Sequence, residues 1–232
     1  MVMDSIKITT LTTRDIAAMK KIHIDAFPDR ALSLLGESTI SSYYQILLDH
    51  PKFCLRIGAF DGSQLVGFLI GGEMQGITPT FVRKNLFRLA LHVIIHPWLL
   101  TKPIVRSRIR MTMKMLRKWK PRAQPPPRKT TRGLKTFSIL VIAVDPTSQS
   151  KGVGKQLMQR AEQVAAEHGY ERMHLSVDMN NTNAIGFYEH LNWKRHHPEK
   201  WCGGMIKPLS HGKTHPAAPK EQARLDALPT SD

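Results

Sequence analysis

Apolar positions change period several times along the chain, and each change marks an element. Ile6 and Ile8 alternate with Lys7 and Thr9, which predicts a short strand over 6–10. Ile16, Met19, Ile22 and Ala26 then recur at helical spacing, behind Thr12 or Thr13 as a cap and ahead of Pro28. A second helix is predicted over about 38–48. Two apolar runs, 53–60 and 65–70, flank Asp61-Gly62 and predict a hairpin.

From Gly71 the chain turns basic and amphipathic. Val82, Leu86, Leu89 and Val93 share one helical face, and Val105, Ile109, Leu116 and Trp119 share another, so two helices joined near Pro97 and Pro103 are expected. The stretch 121–132 contains Pro125-Pro126-Pro127 and too few apolar residues to pack, which reads as a linker. The continuous apolar run 137–144 is a buried strand stopped by Asp145-Pro146. Leu157, Ala161, Val164 and Ala165 mark a helix that Gly169 ends. A strand at 173–177, a helix at 182–190 and the start of a last strand at 193–195 complete the pattern.

The elements describe an α/β fold with a mixed, partly antiparallel sheet. Its domain is expected over 1–206, interrupted between the third and fourth strands by a basic helical insertion at 72–135, with a disordered tail over 207–232.

Charge matters once it is located. Of 34 Lys and Arg, 16 lie between Phe81 and Lys135, a stretch without Asp or Glu, and the 18 that remain balance the 18 acidic residues. The net charge of +16 therefore belongs to one segment. Two cysteines, Cys54 and Cys202, make no disulfide framework, and no cysteine or histidine spacing suits a metal. The amino terminus lacks the basic and apolar pattern of an export signal, and the longest apolar stretch, 86–100, is short and interrupted by Arg88, His92, His96 and Pro97. A reducing, cytoplasmic compartment is expected.

The chemistry concentrates after the strand at 137–144, in the loop Gln149-x-x-Gly152-x-Gly154 and the helix that it opens. Glycines allow a tight path with amides pointing inward, and a helix start adds a positive dipole end, which together suit a pyrophosphate. No Lys-Ser or Lys-Thr stands at P-loop spacing, and no third glycine completes a dinucleotide fingerprint. Alone, the loop is as consistent with turn geometry as with phosphate binding.

Downstream stand Asn181, Ala184, Phe187, Tyr188 and Glu189, then Asn192-Trp193. With this block the stretch 137–193 resembles the coenzyme-A-binding half of the GNAT superfamily of N-acetyltransferases. The family more often carries Gly-Phe where this chain has Asn192-Trp193. The resemblance implies a GNAT-like acyl-CoA N-acyltransferase fold and acetyl-CoA as co-substrate; the histidine spacing, His92 and His96 without a zinc-protease Glu, assigns no metal. It implies that the pantetheine arm pairs with the strand edge at Ile142, Ala143 and Val144. It also implies that the pyrophosphate is held by the loop of Gln149, Ser150, Lys151, Gly152, Val153, Gly154 and Lys155, with Asn181 as a further contact. Tyr188 is carried over as the acid that protonates the departing thiolate, against a reading in which its ring only packs.

The base that deprotonates the amine is open. Glu73 and Asp25 are the acidic residues best placed for it in the family's layout, and each is also an ordinary surface charge. The acceptor is expected to be a primary amine on a small molecule such as an amino sugar, attacked directly in a ternary complex. A protein amine is the alternative, as is a non-catalytic acetyl-CoA-binding protein that docks to membrane or nucleic acid. The basic insertion suits peripheral contact with anionic membrane, or a cover over the cleft, better than nucleic acid, because stacking aromatics are scarce.

Overall fold

The computed structural model describes residues 6–50, 55–73, 77–117 and 134–209. The linker expected at 121–132 and the tail beyond 209 lie outside them, as do Cys54 and Trp119.

Strand β1 (Lys7–Thr10) leads into helix α1 (Ile16–Ala26), entered through a capping box in which Asp15 Oδ2 accepts from the Thr12 amide at 2.7 Å. The short α2 (Ala31–Leu34), which the sequence pattern does not announce, precedes α3 (Glu37–Asp49). Strands β2 (Leu55–Asp61) and β3 (Gln64–Gly72) form the expected hairpin, closing at Asp61 opposite Gln64 with Gly62 at φ 57°. Two helices, α4 (Ile77–Ile95) and α5 (Pro103–Arg117), then intervene before β4 (Thr136–Val144), joined by a 3-10 turn over Pro97–Thr101. The carboxy-terminal part runs α6 (Val153–Glu167), β5 (Arg172–Ser176), α7 (Thr182–His190), β6 (Lys194–Arg195) and β7 (Gly204–Pro208).

The seven strands form one sheet in the order β1-β2-β3-β4-β5-β7-β6. Only β4 and β5 run parallel, as a βαβ connection through α6 requires. Strand β7 corrects the expected domain end: it pairs Lys207 with Met173 and Pro208 with Arg172, so the ordered sheet runs past 206. Strand β3 feeds two cores, its alternation reset by a bulge where Val66 is skipped in the register against β2. Val66 and Leu69 pack with Leu157, Met158 and Ala161 of α6 on one face, while Phe68 and Ile70 pack with Met19 and Ile22 of α1 and Tyr44 of α3 on the other. Helix α4 adds a small third cluster, Phe81 and Val82 against Ile46 of α3.

Two irregularities in β4 shape the middle of the sheet. The register against β3 passes from Ile70 opposite Val141 to Gly71 opposite Ile139, so Leu140 is an extra residue that bends the strand. On the other side, β4 pairs with β5 only through Thr136, Phe137 and Ser138. Beyond Ser138 the two parallel strands part, while β5 stays with β7 on its other edge through Ser176.

Candidate active site

The opening between β4 and β5 leaves one edge of Ile139–Val144 unpaired by β5. Backbone N–H and C=O groups on such an edge need partners, and an extended amide-bearing chain can supply them as a peptide strand does. Ile142, Ala143 and Val144 lie on this edge.

The loop between β4 and α6 is tied down at its start. Asp145 Oδ1 accepts from the amide of Thr147 at 2.9 Å and from its hydroxyl at 2.6 Å, and these bonds hold the Asp145 carboxyl below the usual carboxylate range. The Gln149 amide donates to the Pro146 carbonyl, and its side chain donates to the Val144 carbonyl, both at 3.4 Å. Gln149 therefore shapes the loop and offers no free amide. Its successors differ: the amides of Ser150, Lys151, Gly152, Val153, Gly154 and Lys155 have no backbone acceptor among the described residues, and no side chain caps α6. Ser150 and Gly152 take positive φ, 62° and 80°, which turns successive amides toward a common concavity.

The two glycines have different tasks. A methyl group at Gly152 would meet nothing within 4 Å, so the space before the helix is open and left-handed backbone is what calls for glycine. A methyl at Gly154 would lie 3.3 Å from the Phe187 ring, so this glycine lets α7 approach the first turn of α6.

Tyr188, next to Phe187, is buried against Trp193, with ring centroids 6.1 Å apart, and burial pushes its hydroxyl up to about 12. It stays protonated through the physiological range, as a proton donor must. Asn181 caps α7, its Oδ1 accepting from the Ala184 amide at 3.0 Å, so that oxygen is already engaged. Asn192 sits at φ 65°, a conformation asparagine tolerates and glycine prefers.

The candidate bases are not gathered with these groups. Asp25 is bound to Lys21 on the surface of α1 at 2.7 Å. Glu73 is exposed just past Gly72, which stands opposite Ser138, so it lies at the end where β4 and β5 are still paired. Counted along β4, that is roughly 16 Å from Ile142.

A cavity of about 610 Å³ opens nearby, and sequence reasoning did not find it. Its walls come from four segments: Ala26–Arg30 at the end of α1 and just after it, Leu34 of α2, Lys102, Pro103 and Ile104 at the start of α5, and Asp178 and Asn181 between β5 and α7. Arg30 spans it, its Nη1 2.5 Å from Asp178 Oδ2. The Asn180 amide and Arg30 hold the Asp178 carboxyl below its usual range. No periodicity links residues 148 positions apart, and the only local sign was Pro28-Asp29-Arg30 interrupting the helical pattern. No group of three or more metal-binding side chains occurs among the described residues.

Residues 117–193 match the sequence model of the Acetyltransferase (GNAT) family. A mycothiol acetyltransferase from Beutenbergia cavernae is 40% identical over 55 residues, which are 24% of this chain and 18% of that protein. The chain thus spans less than a fifth of the length of the relatives it matches in sequence. In structure, it superposes on the ribosomal-protein-S18-alanine N-acetyltransferase from Escherichia coli with a TM-score of 0.52 and 15% identity, covering 92% of this chain and 99% of that one. It superposes on the PaiA N-acetyltransferase from Thermoplasma acidophilum, solved with coenzyme A, with a TM-score of 0.51 and 15% identity, over 88% and 99% of the two chains.

Proposed function

We propose that this chain, whose residues 117–193 match the GNAT family and whose fold is shared with N-acetyltransferases, transfers an acetyl group from acetyl-CoA to a primary amine held in the cavity at Arg30 and Asp178. The observation that carries the reading is the pairing of an open β4 edge with six consecutive unaccepted amides at the start of a fifteen-residue helix. That arrangement fits an extended amide-bearing arm ending in a pyrophosphate, with the positive end of α6 facing the phosphates. Acetyl-CoA supplies the acetyl group as a thioester. The chain's part is to align the arm along Ile142, Ala143 and Val144, and to offer an amide near Ile142 to the thioester carbonyl oxygen. The residues 150–155 donate to phosphate oxygens. Tyr188 gives its proton to the leaving sulfur. Glu73 can serve as base only through intervening water, given its distance along the sheet.

The cavity walls carry Arg30 and Lys102 beside Asp29 and Asp178, charges of both signs that suit an acceptor with an amine and an anionic group, such as a phosphorylated amino sugar. A polyamine fits less well beside the basic helices. The same reading puts the enzyme in the cytoplasm, acting on a small molecule, with α4 and α5 in peripheral contact with membrane. Among the described residues no helix is long and apolar enough to cross one. The reading is tested by free-thiol release from acetyl-CoA with amino sugars, their phosphates, amino acids, polyamines and peptides. Release with phosphorylated amino sugars above the rest is expected. Tight acetyl-CoA binding with no release on any amine would make the chain a binding protein.

A further inference from the structure

Helix α4 is apolar on two faces, and only one of them is covered. Toward α3 it presents Phe81, Val82 and Asn85: the Phe81 ring stands edge-on to Tyr43 at 5.2 Å, and Asn85 accepts from Ser42 at 2.9 Å. Toward solvent it presents Phe87, Leu91, Ile94 and Ile95, an i, i+4, i+7, i+8 stripe that Trp98 and Leu100 continue through the 3-10 turn. Phe87 is 81% exposed and Ile94 73% exposed. Most of the exposed large apolar side chains among the described residues fall in this one stretch and α5, far above the scattered singles of an ordinary surface.

The charge around the stripe has one sign. Residues 77–117 contain nine Lys and Arg and no Asp or Glu. Lys84, Lys102, Arg106, Arg110 and Lys114 are exposed, the last three spaced four apart along α5. An apolar stripe with an interfacial tryptophan, fringed by lysine and arginine, matches a layer whose interior is hydrocarbon and whose surface is anionic. A second copy of the chain would bring two such cationic segments face to face, which like charge opposes. Nucleic acid would leave the apolar stripe uncovered.

We infer that the solvent face of α4 and its turn, from Phe87 to Leu100, is a docking surface for an anionic bilayer, with Arg106, Arg110 and Lys114 meeting lipid phosphates. This deepens the peripheral contact proposed above by fixing the face. It rests on the acetyl-transfer reading only for its consequence. Lys102 and Ile104, two to four residues past Leu100, form a wall of the acceptor cavity, and His92 approaches the carbonyl of Leu34, another wall residue, at 3.3 Å. Docking therefore brings the acceptor cavity to the edge of the membrane.

Co-sedimentation with vesicles of phosphatidylglycerol in phosphatidylcholine, against pure phosphatidylcholine, tests the surface in the full chain. Pelleting with the anionic vesicles at low salt is expected, weakening as salt rises. The triple variant Phe87→Glu, Ile94→Glu, Trp98→Glu and the double variant Arg106→Glu, Arg110→Glu should each lose at least tenfold in bound fraction. Both should keep wild-type thiol release on a soluble amine, which shows that they fold. Trp98→Ala gives a milder version should the triple variant fail to fold. Equal pelleting with both vesicle types, no pelleting, or undiminished pelleting of the variants overturns the inference, as does self-association through this face in sedimentation velocity. Intact vesicle binding without thiol release on any amine leaves the docking surface standing and removes the acetyl-transfer reading instead.

Discussion

Two buried side chains carry opposite lessons about burial and protons. Tyr188 is held protonated by its apolar surroundings, so its value to the reaction is a proton available at every working pH. Tyr188→Phe keeps the ring packed on Trp193 and removes only the hydroxyl. Turnover should fall by about 10² or more, the usual contribution of a general acid, while acetyl-CoA affinity by calorimetry stays within about twofold. Unchanged turnover would return Tyr188 to a packing role. His23 on α1 is buried between Phe27 and Tyr44, its Nδ1 2.6 Å from the Tyr44 hydroxyl and its Nε2 without a partner. Burial lowers its pKa from 6.5 to about 4, so the fold resists its protonation. Above 6.5 this group costs no stability. As pH falls from 6.5 toward 4 the unfolded chain gains a proton that the native state refuses, and stability drops by up to about 3 kcal/mol. Urea unfolding at pH 7.5, 5.5 and 4.5 should show that loss, and His23→Gln should show a shallower one.

At the scale of elements, the loop before α6 is where sequence and structure agree most closely, and the reason is local. Gly152 answers a backbone angle, Gly169 another at the end of the same helix, and Asp145-Pro146 stops a strand, so each residue reports on its own neighbourhood. The hairpin, α7 and both basic helices were legible for the same reason, as periodicity or turn chemistry. What was not legible depended on pairing across the chain. Strand β7 is short and contains Lys207 and Pro208, and what defines it is its pairing with the edge of β5 that faces away from β4. The extra residue at Leu140 is visible only in the register against β3. Gly154, whose amide belongs to the proposed phosphate seat, has a second task that only the packing reveals: its missing side chain makes room for Phe187. The two glycines should therefore fail differently. Gly152→Val forces a branched residue into left-handed backbone and fills the open space, so coenzyme A affinity by calorimetry should fall at least tenfold. Gly154→Ala presses on Phe187 and should lower the melting temperature while costing less affinity.

Across the whole molecule, the cavity is closed by one ion pair that joins its two sides. Arg30 comes after α1 and Asp178 after β5, so the contact links the layer that carries α3 and α4 to the loop leading into the cofactor half. Both side chains are partly exposed, 40% and 32%, and exposed pairs contribute at most about 1 kcal/mol, so its removal should hardly change stability. Its consequence is geometric. Asp178 also accepts from the Asn180 amide at 2.9 Å, and its loop runs into Asn181, which caps α7 and so bears on Tyr188. Asp178→Asn keeps the turn and the size of the side chain but removes the charge that orients Arg30. The guanidinium is then free to leave the cavity wall, and a wall that no longer presents a fixed cation should hold an anionic acceptor poorly. The expected result is a several-fold rise in the acceptor's KM with acetyl-CoA affinity and melting temperature near wild type, and a similar rise for Arg30→Gln. Exchanging the pair as Arg30→Asp, Asp178→Arg restores the bridge yet moves the cation to the other wall, so the KM should stay raised. Recovery of the KM would show that the bridge acts by bracing the walls rather than by presenting a cation, and an unchanged KM in the single variants would place the acceptor elsewhere.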